Sequence, residues 1–158
     1  MIKNIAKIFL ICLLFVTTAC GFKVLNELDE NNFIINDIQT TGDKRINFKI
    51  KNSLLTYTNK DAQNILLVNL NSKKVKSIKE KNIKNEVTKY LITISIKLEF
   101  NILNLDAKHQ INISNEGVYL VAENYSSTLN NEKKLIDDLI ENISDEIIKK
   151  ITLKLDDI

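Results

Sequence analysis

The stretch Tyr90-Leu91-Ile92-Thr93-Ile94-Ser95-Ile96-Lys97-Leu98-Glu99-Phe100 decides the fold. Ile92, Ile94, Ile96, Leu98 and Phe100 alternate with Thr93, Ser95, Lys97 and Glu99. A period of two belongs to a strand, whose successive side chains point to opposite faces. β-Branched side chains favour that extended backbone. One apolar and one polar face predict an antiparallel sheet covered on one side only.

Downstream, residues 104–107 (Asn-Leu-Asp-Ala) read as a turn, and 108–113 resume strand-like alternation that weakens toward Glu116 and Gly117. The two runs predict a long hairpin. Upstream, residues 64–70 (Asn-Ile-Leu-Leu-Val-Asn-Leu) read as a strand. So do residues 33–38, stopped by Thr40-Thr41-Gly42. The segment between them is ambiguous. Residues 45–51 alternate as a strand would, yet Ile46, Ile50, Leu54 and Tyr57 also share one helical face, with Asp43 placed to cap it. The helical set spans the longer window, which favours a helix with Phe48 and Leu55 on its far side. From Asn130 the period becomes helical: Leu135, Ile136, Leu139, Ile140, Ile143, Ile147, Ile151 and Leu155 form one apolar stripe. The predicted order is β-α-β-β-β-α, an α+β two-layer sandwich with two helices packed on a mostly antiparallel four-stranded sheet, over residues 33–158.

The N-terminus carries a different kind of information. Lys3 and Lys7 precede the apolar run 8–16, and Thr17-Thr18-Ala19-Cys20 follow. A basic start, a short apolar core and small residues form a secretory signal peptide, expected to span 1–19. The run is shorter than the roughly 20 apolar residues of a membrane-spanning helix. Cys20, directly after a small residue, is the expected site of acylation, as in a bacterial lipobox, although Thr17 stands where Leu is usual. Residues 20–32 then form a polar, lipidated tether. Each buried methylene of an acyl chain contributes about 0.8 kcal/mol to membrane binding. Gly21 rather than Asp after the cysteine points to the outer membrane, with the domain on its periplasmic side.

The 158 residues hold 22 Lys+Arg against 20 Asp+Glu. Lys3 and Lys7 leave with the signal, so the mature side chains balance, which excludes a generally basic nucleic-acid binder. Cys12 leaves as well, so no internal disulfide is expected. No Gly-rich phosphate loop or G-x-S-x-G elbow is present. His109 stands without Cys or His at ligand spacing, so no metal and no cofactor is expected beyond the acyl chains, and the histidine reads as solvent-facing or interfacial. The acidic pairs Asp137-Asp138, Asp145-Glu146 and Asp156-Asp157 read as a solvated helix face. These absences predict a non-catalytic protein.

Charge is nevertheless uneven. Residues 71–89 contain Lys73, Lys74, Lys76, Lys79, Lys81, Lys84 and Lys89 against Glu80 and Glu86, in a segment that joins two strands. Two readings stand: a lysine-decorated connection that blunts an edge strand, or a contact for anionic groups, either glycolipid phosphates or acidic loops of a partner. The candidate contact residues are Lys73, Lys74, Lys76, Lys79, Lys81 and Lys84.

Taken together, the chain resembles the lipopolysaccharide-assembly lipoprotein LptE family. The likeness rests on Cys20-Gly21-Phe22 after the signal, the first strand leading to Arg45-Ile46-Asn47-Phe48, and the alternating strand 90–100. It ends with Tyr119 and Tyr125 before the amphipathic helix 132–155. The resemblance implies two helices on a four-stranded sheet, which favours a helix over 43–57. It also implies a plug within the outer-membrane barrel LptD, supporting assembly of that barrel and handling lipopolysaccharide. The alternative is another lipid-anchored periplasmic module, such as an auxiliary lipoprotein of a lipid transporter.

Overall fold

A computed structural model describes residues 32–157 except Lys60, Asn104 and Asp106. The expected signal peptide, Cys20 and all but the end of the tether lie outside the described residues, as does part of the expected 104–107 turn. The elements are β1 (Phe33–Gly42), α1 (Lys44–Thr56), β2 (Asn64–Lys81), β3 (Val87–Ile102), β4 (Lys108–Leu120) and α2 (Tyr125–Asp156). The strands lie in the order β1-β2-β3-β4. β1 runs parallel to β2, and the two later pairings are antiparallel. The predicted order and the two-layer α+β architecture are both present.

Both helices cover one face of the sheet. α1 lies over β1 and β2, α2 lies along β4, and the helices touch each other. Ile92, Ile94, Ile96, Leu98 and Phe100 of β3 are all buried beneath them. α1 contributes Ile46, Ile50 and Leu54 to this core, while α2 contributes Leu139, Ile140, Ile143, Ile147, Ile148 and Ile151. Burying one such side chain fully stabilises the fold by about 1.5–3 kcal/mol. Ser144 is buried in the same stripe, its hydroxyl satisfied by donating 2.8 Å to the Ile140 carbonyl. Phe48 and Leu55 lie on the far side of α1, with Phe48 67% exposed.

The exit from β1 sets where α1 sits. Phe33, Ile35 and Ile38 are buried, a spacing made possible by a register shift between Ile35 and Asp37. The strand does not stop at Thr40 as expected. It pairs as far as Gly42 with Ser72, because the parallel ladder satisfies the backbone of Thr40 and Thr41. Gly42 then takes φ +94°, and a Cβ there would lie 1.9 Å from the Ser72 carbonyl oxygen. Asp43 follows as N-cap, its carboxylate accepting from the Arg45 and Ile46 N–H groups at 3.0 and 3.1 Å. The buried Asn47 ties the first turn back, donating 2.9 Å to the Thr41 carbonyl. The cap resolves the ambiguity of residues 45–51 in favour of helix.

β2 departs most from expectation. It does not end near Leu70 but runs to Lys81, paired with β3 from Leu66↔Ile102 to Lys81↔Val87. The lysine segment is therefore not a loop. It is the outer half of a β-hairpin, closed by a tight turn in which Asn85 has φ 65°. β4 likewise continues through Gly117 to Leu120. A Cβ on Gly117 would meet Leu135 Cδ1 at 2.5 Å, so the missing side chain lets α2 approach the strand. α2 begins at Tyr125, ahead of the expected Asn130, because Asn124 caps it by accepting 2.7 Å from the Ser127 N–H.

Gly42→Ala is expected to cost at least about 1–3 kcal/mol, combining a left-handed backbone with a clash against fixed backbone. Asp43→Ala is expected to cost about 1 kcal/mol through loss of the cap alone. Urea unfolding of the two variants of the full chain checks both values; a Gly42→Ala midpoint equal to that of the parent chain contradicts the packing at this corner.

Candidate functional site

The six candidate lysines occupy one hairpin, but not one surface. Strand alternation puts Leu66, Val68, Leu70 and Ser72 under the helices, so Lys74 and Lys76 continue on the helix side. Lys73 lies on the opposite face with Asn71. A register shift between Ile78 and Glu80 leaves Lys79 at a bulge. Lys81 donates 2.9 Å to Asn85 Oδ1, and Lys84 sits in the turn, which Asn82 Oδ1 organises by accepting from the N–H groups of Lys84 and Glu86. Ile83, at the tip, is fully exposed. Lys89 returns on β3 and pairs with Glu80 at 2.7 Å, and that contact holds the Glu80 carboxyl below its ordinary range.

Lys76 has a separate role. Its ammonium lies 2.7 Å from Glu132 Oε2 on α2, and the Tyr119 hydroxyl donates 2.8 Å to the same oxygen. The ammonium also sits 4.4 Å from the Tyr90 ring centroid and 5.2 Å from that of Tyr119. The two rings stack at 5.5 Å. The cluster latches the hairpin to the start of α2. Burial opposes the charge on Glu132, yet hydrogen bonds from Lys76 and Tyr119 prevail, and its pKa is lowered. Burial likewise opposes the charge on Lys76, but hydrogen bonding to Glu132 and Tyr119 prevails, and its pKa is raised. Burial, reinforced by Glu132, raises the Tyr119 pKa against the opposing effect of Lys76. Lys76 is thus a structural cation, whereas Lys73, Lys79 and Lys84 form no ion pair among the described residues. Glu132 and Tyr90 escaped the sequence reading, because β2, β3, β4 and α2 bring together residues that no local spacing connects.

The uncovered face of the sheet is mostly polar. Ser95 and Ser114 hydrogen-bond across β3 and β4 at 2.9 Å. Glu99 receives Lys108 at 2.7 Å and Lys97 at 2.8 Å, which lowers its pKa to about 2. A shallow groove of about 400 Å³ runs past Asn71, Lys73, Ser95, Lys97, Asn112 and Ser114. His109 faces the other way. Its ring stacks on Phe100 at 5.0 Å, at the edge of the core, and buried Nε2 has no hydrogen-bond partner. Of the acidic pairs, Asp137 meets Lys49 of α1 and Glu146 meets Lys150, which is a solvated helix face pairing with its neighbours. Among the described residues, no three His, Cys, Asp or Glu side chains gather as a metal ligand set, and no helix is long and apolar enough to cross a membrane.

No protein-family model matches the chain, and no curated protein matches it in sequence. Its fold is similar to solved structures. The rare lipoprotein B from Shewanella oneidensis superposes with a TM-score of 0.62 at 12% identity, covering 80% of this chain and 98% of that one. The uncharacterized lipoprotein B from Nitrosomonas europaea superposes with a TM-score of 0.57 at 11% identity, covering 86% of this chain and 93% of that one. At such identities the likeness is one of fold.

The latch has a defined pH window. The Glu132 pKa lies below its ordinary 4.5, so its stabilising share is complete above that value and is lost as pH falls through the lowered one. The Lys76 pKa lies above 10.5, so its share is complete below that value and is lost as pH rises through the raised one. The Lys76 side chain remains 39% exposed, and solvent screens the pair. Glu132→Gln is therefore expected to cost only about 1–2 kcal/mol near neutral pH. Unfolding curves from acid to neutral pH check it: the difference from the parent chain should shrink toward acid.

Proposed function

We propose that the chain is a non-catalytic lipoprotein, held by acyl chains on Cys20 at the periplasmic face of the outer membrane, where it plugs and helps to assemble an LptD barrel in lipopolysaccharide transport. The observation that carries this reading is the fold, a β-α-β-β-β-α sandwich in common with two bacterial lipoproteins over most of their length. The lipobox-like Cys20 after a signal-like N-terminus supports it independently. The polar sheet face supports it too. A wide barrel presents a polar inner wall, and a face whose charges are already paired, as at Lys97, Glu99 and Lys108, meets such a wall without stranding a cation.

In this reading no cofactor is needed beyond the acyl chains. The hairpin supplies the charged contact. Lys73, Lys74, Lys79, Lys81 and Lys84 meet anionic groups on lipopolysaccharide or on the barrel, while Lys76 holds the hairpin in place.

Solubilising the membrane and isolating the full chain should recover an outer-membrane barrel with it. A monodisperse chain with no barrel after crosslinking overturns the plug and indicates another lipid-anchored module. Cys20→Ser should abolish acylation, and globomycin should cause the unprocessed precursor of the parent chain to accumulate. Unchanged processing under globomycin removes the lipoprotein assignment.

A further inference from the structure

β1 and β2 share a ladder only as far as Gly42↔Ser72, where the Asp43 N–H donates 3.1 Å to the Ser72 carbonyl. β1 then turns away into α1, while β2 continues to Lys81 with β3 on its other side. Along a strand, the N–H and C=O of one residue point to one side and those of the next to the other. Ser72 points toward β1, so Lys74, Lys76 and Ile78 point the same way, whereas Lys73, Val75 and Ser77 face β3. All of residues 73–81 are exposed. Beyond Ser72, then, the lane that β1 vacates is bordered by backbone donors and acceptors, and among the described residues no strand fills it.

We infer that this edge of β2 receives an extended acidic polypeptide segment, which adds to the sheet as a strand in line with β1. The inference rests on the reading of the lysine hairpin as a contact site and names its partner. Charge placement argues for a strand. Lys73 flanks the lane on one face of the sheet and Lys74 on the other, with Lys79 at the bulge and Lys84 at the turn. Side chains of an added strand alternate between those faces, so acidic residues at successive positions meet both lysines. A flat anionic surface would engage only one face at a time. A second copy of the chain would set lysine against lysine, which disfavours pairing.

The test uses the full chain in detergent with a synthetic peptide of glutamate, valine and threonine, and the same peptide with glutamine for glutamate. Amide hydrogen exchange of the free protein should be fast at Lys74, Lys76 and Ile78 and slow at Lys73, Val75 and Ser77. The acidic peptide should slow the first set. Lys74→Pro removes an N–H on the open side and spares the β2–β3 ladder. It should weaken binding about tenfold or more, as should the glutamine peptide. Peptide binding without protection of Lys74, Lys76 and Ile78 overturns strand addition, whether or not Lys74→Pro folds, and leaves the hairpin as a charge contact. Binding unchanged when Lys73, Lys74, Lys79 and Lys84 are replaced by Gln overturns the contact site itself. Retention on vesicles containing anionic phospholipid, with no binding of the peptide, assigns the lysines to a lipid surface and overturns the inference.

Discussion

The hydrogen bond from the Asp43 N–H to the Ser72 carbonyl marks the point at which the molecule stops being four strands wide. Much of the architecture follows from it. To reach that carbonyl, the chain must bend at Gly42, whose φ of +94° and absent Cβ allow the approach. The bend leaves Asp43 placed to cap α1, and the cap directs Ile46, Ile50 and Leu54 onto β1 and β2. On the other side of the same carbonyl, β2 runs on with β3 as its one neighbour. One donor and one acceptor thus separate the packed body of the domain from its projecting hairpin.

Tyr90 to Phe100 was readable because its surroundings are uniform. It has an antiparallel neighbour on each side, helices above and solvent below, so local alternation and tertiary burial agree. The apolar stripe of α2 was readable for the same reason. Residues 45–51 carry both periods, and their outcome depends on a cap and a glycine upstream rather than on the pattern itself. The continuation of β2 was not readable. Residues 73–81 are mostly charged and, taken alone, have little reason to be extended. Their conformation is imposed by the ladder with β3, a contact that local composition does not encode.

Among the lysines the sequence supplies a count, and the structure supplies their differences. Lys76 is engaged by Glu132 and two tyrosine rings, Lys81 by its own turn, and Lys73 and Lys74 stand back to back across the sheet. A net excess of charge along the chain therefore does not become a single positive patch. It becomes an edge with positive flanks, anchored at its base by the one lysine that is held. Glu132, placed on α2 far along the chain, turns a mobile-looking basic run into an ordered projection.

The turn at residues 82–86 is the one place where this projection can change length without disturbing anything beneath it. Side chains on the hairpin alternate with a period of two, so adding or removing a matched pair of residues at the tip preserves every inward-facing position from Lys76 downward. A single-residue change would invert the faces of all that follow. Divergent chains with this fold can thus vary in reach, in even steps, while keeping the same body, and the distance to whatever the hairpin touches can drift independently of the core.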